Sequence, residues 1–238
     1  MEIVACKYTD KGGRKNNEDS VGISDGAYVV ADGLGGHDCG EKASAMAVDY
    51  ILCNYSGLAH IDNNVMQNII CRINRHIWNE KQKDRKCGNM ATTVAAAFVS
   101  GTMLNYLNVG DSRFYLFRNS RIIMQSRDHS VTQMCVDMGE IERDRMRFHE
   151  DRNKLTKVLG LNETLRIAEI FEPVAVEEGD AFLMCTDGFW EYVDERRMQK
   201  LLRRSNSPDQ WMSLMLGAIS RKVKGNNDNL SAICAMIV

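Results

Sequence analysis

Four aspartates border apolar runs of strand length, and this placement constrains the fold more than any other feature of the chain. Asp32, Asp111 and Asp187 come just after such runs, and Asp228 comes just before the last one. The first three also stand beside a glycine, which lets the backbone turn closely. Strand ends that meet at one rim of a sheet bring their side chains together. The sequence therefore predicts a cluster of negative charge at such a rim.

A cluster of carboxylates must be neutralised by protons or by cations. Sites made of oxygen atoms suit hard divalent ions, Mg²⁺ or Mn²⁺, better than zinc. Arg14 lies four residues before Glu18, and the planar fork of arginine suits a phosphate oxyanion. Each aspartate alone is more simply interpreted as a turn or cap residue beside glycine. The coincidence of four of them with an arginine predicts metal-assisted hydrolysis of a phosphate ester.

Hydrophobic periodicity predicts a mixture of strands and helices. The predicted strands are 27–31, 92–99, 103–109, 114–117, 181–184 and 232–238. Turn signals at 100–101 and 118–120 favour hairpins and antiparallel pairing. Apolar faces with helical spacing predict helices over 43–51, 66–77 and 212–223, and these faces are interpreted as core. The densely charged segment 139–154 is predicted to be an exposed excursion from that core.

Composition excludes several classes of protein. The chain has 238 residues, typical of one catalytic-size unit, and its formal net charge of −2 disfavours a nucleic-acid partner. The sequence shows no secretory leader and no apolar run long enough to cross a bilayer, so we predict a cytoplasmic protein without a membrane partner. The eight cysteines are scattered and form no C-x-x-C pair. We therefore predict reduced, mostly buried thiols and no structural zinc, with Cys39 a small spacer beside the Asp32 loop.

Eight short motifs, taken in order, resemble the metal-dependent protein phosphatase family, the type-2C serine/threonine phosphatases. The motifs lie at 10–19, 31–44, 91–93, 110–115, 128–130, 155–160, 186–190 and 228–229. Their form is most similar to that of the compact bacterial branch. The resemblance implies an α+β fold, a four-layer α-β-β-α sandwich of two mostly antiparallel sheets flanked by helices. It also implies that residues 1–238 form a single catalytic domain with a short flap at about 130–154, where substrate choice is expected to lie.

The resemblance implies a set of metal ligands. Asp32 would bridge two divalent ions, Mn²⁺ or Mg²⁺. Glu18 and the carbonyl of Gly33 would complete one site, and Asp187 and Asp228 would complete the other. The water that the two ions share would attack phosphorus in line, with no covalent intermediate.

The remaining motif residues receive supporting roles from the same resemblance. Arg14 would bind the substrate phosphate, and it is the predicted catalytic residue together with Asp32. Asp111 would hold a weaker third ion with Asp187, and Asp19 would hold a metal through a water. Two positions depart from the family. Ala91 replaces the glycine usual before the two threonines, and Leu34 stands where many eukaryotic members carry a histidine proposed to protonate the leaving oxygen. His37, three residues on, is not the same position.

The implied function is a protein serine/threonine phosphatase whose partners are phosphorylated proteins and a cognate serine/threonine kinase system. Two alternatives stay open at this point. A pseudophosphatase that senses or binds a partner would be expected to have lost an acid, and none of the four main acids is missing. A two-metal nuclease or phosphodiesterase would need a basic groove with stacking aromatic residues, which the charge and the aromatic content of 7% do not favour.

Overall fold

The computed structural model describes residues 1–35, 39–58, 61–164, 169–170 and 172–238. Its strands are β1 (Ile3–Asp10), β2 (Asp19–Ser24), β3 (Ala27–Leu34), β4 (Ala91–Thr92), β5 (Val94–Ser100), β6 (Met103–Val109), β7 (Arg113–Arg118), β8 (Arg121–Gln125), β9 (Glu169–Ile170), β10 (Val174–Ala175), β11 (Ala181–Cys185) and β12 (Leu230–Ile237). Its helices are α1 (Gly40–Tyr55), α2 (Asn63–Lys81), α3 (Val131–Asp137), α4 (Asp187–Trp190), α5 (Glu195–Leu202) and α6 (Pro208–Ile219), with 3₁₀ helices at Arg85–Cys87 and Arg143–Phe148. Within these ranges no helix is long and apolar enough to cross a bilayer.

The strands form two antiparallel sheets that pack face to face. One has the order β1-β12-β11-β7-β8, and the other has the order β10-β6-β5-β3-β2, with β4 beside β3 and β9 beside β6. A central core lies between the sheets. A second core joins the larger sheet to α1 and α2, and a third joins the smaller sheet to α4, α5 and α6. The predicted four-layer α-β-β-α sandwich is confirmed.

Strand β5 has a continuous apolar sequence, with no alternation of polar and apolar residues. Ala95 and Ala97 face the opposite sheet, whereas Ala96 and Phe98 face the helices. Both faces of the strand are therefore buried, and a strand buried on both faces carries a continuous apolar run. The small alanines also let the two sheets approach closely.

All the predicted strands and helices are present, but two of them have different bounds. The predicted strand 92–99 is divided between β4 and β5, and the predicted helix 212–223 ends at Ile219 with α6. The β5–β6 and β7–β8 hairpins form where the turn signals stand. Asn119 and Ser120 at the second turn have φ of 51° and 56°, the left-handed conformation of a type I′ turn. Strands β1, β2 and β8 were not predicted, because their faces are partly exposed.

The flap, residues 130–154, contains α3 and the second 3₁₀ helix. The prediction that the charged segment 139–154 is exposed is wrong for two of its residues. Met146 is buried, and the side chain of Arg147 is only 9% exposed. Charge density alone therefore failed to show which residues of the flap face the protein.

The prediction of reduced cysteines is wrong for one pair. Cys39 and Cys87 form a disulfide with a Cα–Cα distance of 5.5 Å across a sequence separation of 48. Cys39 immediately precedes α1, and Cys87 ends the 3₁₀ helix before β4, so the fold brings two distant thiols together. The prediction of mostly buried thiols also fails for Cys53 and Cys71, which are exposed.

Breaking the Cys39–Cys87 disulfide is expected to destabilise the protein, because the bond limits the freedom of the unfolded chain. For this loop length the chain-entropy contribution is about 4 kcal/mol, which corresponds to a melting temperature lower by about 10 °C. Thermal unfolding with and without dithiothreitol, and of the Cys39→Ser/Cys87→Ser variant, measures the effect. The exposed pair Cys53→Ser/Cys71→Ser is the control. Equal melting temperatures for all forms would contradict the expectation.

Candidate functional site

A cavity of about 400 Å³ opens where strand ends of both sheets meet. The predicted residues that line it are Arg14, Glu18, Asp32, Gly33, Asp111, Asp187 and Asp228. Asp19 lies behind them, directly opposite Asp32 in the β2–β3 pair. The fold thus gathers at one place all the site residues that the sequence analysis named.

Hydrogen bonds hold the strand ends together at this rim. The Glu18 N–H donates to Oδ1 of Asn229 at 2.8 Å, and the Gly33 N–H donates to the Glu18 carbonyl at 3.0 Å. The Thr186 N–H donates to the Ser231 carbonyl at 3.0 Å. These bonds hold the ends of β3, β11 and β12 next to one another, which places their acidic side chains around one space.

Two glycines make this close approach possible. A Cβ on Gly188 would lie 2.0 Å from the Asn229 carbonyl oxygen, and a Cβ on Gly33 would lie 2.1 Å from the Gly40 carbonyl oxygen. Both distances are far below van der Waals contact, so no other residue fits without moving the backbone. The Asp-Gly pairs of the sequence are therefore explained by packing at the rim.

Threonines hold the backbone of Asp32 on both sides. The Asp32 N–H donates to Oγ1 of Thr93 at 3.0 Å, and the Thr92 hydroxyl donates to the Asp32 carbonyl at 2.8 Å. The Ser112 hydroxyl is buried and lies 2.7 Å from Oγ1 of Thr93. Ser112 therefore supports this turn.

Burial of several carboxyl groups in one place raises their pKa values. Burial is the main cause for Asp19, whose pKa rises to about 7, and for Asp187, whose pKa rises to about 6 with a further contribution from Asp228. The pKa values of Asp32 and Asp111 are raised well above the ordinary range by burial and by neighbouring carboxylates. A positive charge bound in this site would therefore stabilise the ionised form of these carboxyl groups.

The acidic residues of the cavity are suitable ligands for divalent ions. One carboxylate oxygen of Asp19 and one of Asp187 are buried with no hydrogen-bond partner, and the acidic side chains of the cavity offer oxygen ligands only. Among the described residues, no three carboxylates already converge as a ready-made ligand set. One of the carboxylates, Asp228, is instead paired with Arg14.

Arg14 makes a bidentate ion pair with Asp228. Its Nε and one terminal nitrogen donate to the two carboxylate oxygens at 2.9 and 2.6 Å. This pairing raises the pKa of Arg14, while 57% of its side chain stays exposed at the cavity mouth. The residue expected to bind phosphate is thus beside the site, but it is engaged with a predicted metal ligand.

A larger cavity of about 1100 Å³ lies on the flap side. Glu191 and Arg152 line it and form an ion pair at 2.9 Å, whereas the next residue, Asn153, lines the acidic cavity. Burial, followed by the charge of Asp187, raises the pKa of Glu191 to about 7. The sequence analysis missed Glu191, since nothing in its surroundings distinguishes it from a solvated helix residue.

Leu34 lines the acidic cavity at the end of β3, where it pairs with Ala91. An aliphatic side chain therefore lines the cavity at the position where many eukaryotic members of the family carry a histidine. His37 lies outside the described residues.

Comparison with known proteins gives consistent results. The family model described as Protein phosphatase 2C matches residues 13–215. The serine/threonine phosphatase stp of Listeria monocytogenes is 27% identical over 236 residues, which covers 94% of this chain and 92% of the relative. The crystal structure of the serine/threonine phosphatase Stp1 from Staphylococcus aureus is 30% identical, with a TM-score of 0.87 and coverage of 100% of this chain and 96% of that one.

A further solved structure carries metal. The catalytic domain of the serine/threonine protein phosphatase PstP, in complex with two manganese ions, superposes with a TM-score of 0.86 at 24% identity, covering 99% of this chain and 98% of that one. At this identity the likeness concerns the fold.

Proposed function

The chain belongs to the protein phosphatase 2C family, and we propose that it hydrolyses phosphoserine and phosphothreonine in proteins with two divalent ions. Membership makes it a metal-dependent protein serine/threonine phosphatase. The observation that carries the proposal is the acidic cavity, in which five carboxylates surround one space beside an arginine. A pseudophosphatase is not favoured, because every main acid is present. We further propose that residues 1–238 act as one catalytic domain, since Glu18 and Asp228 line the same cavity.

In the proposed site, Asp32 would contact both ions. Glu18 and the Gly33 carbonyl would complete one set of ligands, and Asp187 and Asp228 would complete the other. Two divalent ions, when bound, supply an activated water and take up negative charge on the phosphate. The chain contributes the arrangement of ligands and a partly enclosed cavity.

The other polar residues have supporting roles. Asp111 would share a weaker third ion with Asp187. Asp19 would act through a water, and the Thr186 hydroxyl, which donates to its Oδ2 at 2.9 Å, fixes its orientation. Arg14 and a divalent ion would compete for the Asp228 carboxylate, so loading of the site frees the guanidinium for the substrate phosphate.

The cofactors we propose are Mn²⁺ or Mg²⁺, because hard ions prefer carboxylate oxygens. The proposed partners are phosphorylated proteins and a serine/threonine kinase that modifies them. The cytoplasmic location stays a prediction from the sequence.

The proposed activity is tested by phosphate release from a phosphothreonine peptide. Release is expected with Mn²⁺ or Mg²⁺ and is expected to stop with excess EDTA, because the carboxylates alone repel the phosphate. Mn²⁺ added in excess over the EDTA should restore release, and this restoration is the control for any other effect of the chelator. Turnover that survives EDTA, or the absence of release at saturating Mn²⁺, would overturn the proposal.

Leu34→His is expected to raise the ratio of phosphoserine-peptide turnover to p-nitrophenyl phosphate turnover. Serine leaves as a poor alkoxide that needs a proton, whereas p-nitrophenolate leaves without one. The gain should stay below the roughly 10²- to 10⁴-fold of general acid catalysis, since water can also donate. Steady-state kinetics on both substrates measure the ratio, and His37→Ala is expected to leave it nearly unchanged. Loss of peptide turnover alone in His37→Ala would identify His37 as the acid instead.

A further inference from the structure

Trp190 connects two residues of the acidic cavity. It ends the short helix α4 that begins with Asp187, and its indole N–H donates to the Asp111 carbonyl oxygen at 2.9 Å. The side chain is 2% exposed. Trp190 therefore links the backbone at Asp111 to the helical turn that begins at Asp187.

A buried arginine fixes one face of this ring. The guanidinium carbon of Arg113 lies 3.5 Å from the centre of the Trp190 ring, within the range of a cation–π contact. Arg113 also makes a bidentate pair with Asp128 at 2.8 and 2.7 Å. This side of Trp190 is thus held by a rigid group of the sheet.

A second arginine reaches the same tryptophan from the flap. Arg147 donates to the carbonyl oxygen of Trp190 and to Oε2 of Glu195 at 2.7 Å. Its guanidinium carbon lies 5.6 Å from the ring centre. The other oxygen of Glu195 lies 3.4 Å from Arg113, so Glu195 joins the flap arginine to the sheet arginine.

The direction of these contacts distinguishes Arg147 from its neighbours. Arg143 and Arg145 of the same 3₁₀ helix are exposed, whereas Arg147 is almost enclosed and contacts the carbonyl at the end of α4. Taking a guanidinium out of water is costly. A carbonyl at a helix end and a carboxylate are the acceptors that offset this cost.

We propose that Arg147 is a positioning residue, which couples the docked state of the flap to the placement of Asp111 through Trp190. The proposal deepens the proposed phosphatase function and rests on it for its catalytic readout. Undocking of the flap would withdraw Arg147 and loosen the indole hydrogen bond. The weaker ion site that includes Asp111 would then lose affinity, while the ligands on β3 would be unaffected.

The experiment compares Arg147→Ala with Arg145→Ala, an exposed arginine of the same helix, in the full chain. Hydrogen exchange of the Trp190 indole N–H, followed by NMR in the metal-free protein, should be about 10-fold faster in Arg147→Ala. In calorimetric titrations with Mn²⁺, the weaker phase should lose about 10-fold in affinity, as is usual when a group that orients a ligand is removed. In kinetics, the Mn²⁺ concentration for half-maximal turnover of p-nitrophenyl phosphate should rise by a similar factor at unchanged KM. Arg145→Ala should match the parent throughout.

Two results would overturn the proposal. One is a change in melting temperature alone, with parent-like indole exchange and Mn²⁺ binding, which would make Arg147 merely structural. The other is a higher KM for a phosphopeptide with parent-like Mn²⁺ binding, which would make it a substrate contact. If Arg147→Ala does not fold, Arg147→Lys gives the same readouts, because lysine cannot span both acceptors. Indole exchange and calorimetry need no turnover, so they can support the positioning role even if the phosphatase activity fails.

Discussion

Asp32→Asn is expected to reduce phosphate release by about 10³-fold or more, equivalent to about 4 kcal/mol of transition-state stabilisation. Asparagine has nearly the same shape, and the bonds from Thr92 and Thr93 reach the backbone of residue 32. The fold should therefore persist while the central charge is lost. Since Asp32 would contact both ions, its neutralisation should also weaken the binding of both.

Steady-state kinetics and Mn²⁺ calorimetry measure these two effects. Asp25→Asn is a matched control, because Asp25 lies in the turn of the same β2–β3 hairpin and asparagine accepts its positive φ of 37°. Normal turnover by Asp32→Asn would rule out the two-ion arrangement. Unchanged Mn²⁺ affinity with lost turnover would instead restrict Asp32 to a role in the reaction step.

The metal-free protein is expected to lose stability as the pH rises through the range in which Asp19 titrates. The pKa of Asp19 is about 7 in the folded state, against 3.8 for an ordinary aspartate side chain. Between these values the folded protein holds a proton that the unfolded chain has released. The stabilisation is therefore complete below pH 4 and is lost by about pH 7, with a size on the order of a few kcal/mol. Asp187, at about 6, acts in the same direction.

Urea titrations from pH 4 to pH 8 measure the unfolding free energy of the parent and of Asp19→Asn. The difference between the two values isolates the contribution of Asp19. The difference should fall with rising pH. It also removes the opposite contribution of buried His129, whose pKa is lowered to about 4 and which destabilises the protein as the pH falls below 6.5. Mn²⁺ should stabilise the parent more at pH 8 than at pH 5, because protons then no longer compete for the carboxylates. A flat or rising difference would contradict the electrostatic account of the site.

The rim of the sandwich could be predicted from the sequence, because an aspartate beside a glycine marks the end of several of its strands. Asp32, Asp111 and Asp187 each interrupt a buried run beside a glycine, and the close packing at Gly33 and Gly188 explains that pattern. Strand β1 was not predicted, because it lacks a buried apolar run with a clear end. It alternates between half-buried and exposed residues, and Lys7 in its middle masks the apolar period.

Contacts between residues far apart in the chain could not be predicted from the spacing of residues in the sequence. Nothing near Cys39 or Cys87 indicates that the two thiols meet, since cysteine connectivity does not follow from sequence. Arg147 likewise stands among arginines that are exposed, and only the fold of the flap distinguishes it. The engagement of Arg14 by Asp228 joins residues from the two ends of the chain, and a local motif cannot encode such a partner.

The pairing of β1 with β12 has a consequence for synthesis on the ribosome. The two strands align along their full length, from Ile3 opposite Ile237 to Asp10 opposite Leu230, and β12 also pairs with β11. Because β12 is translated after every other strand described here, a nascent chain carries β1 and β11 with unpaired edges until β12 emerges. Such edges invite intermolecular pairing. The acidic cavity includes Asp228, which lies just before β12, so a translation product that stops before this point lacks one of the carboxylates of the cavity.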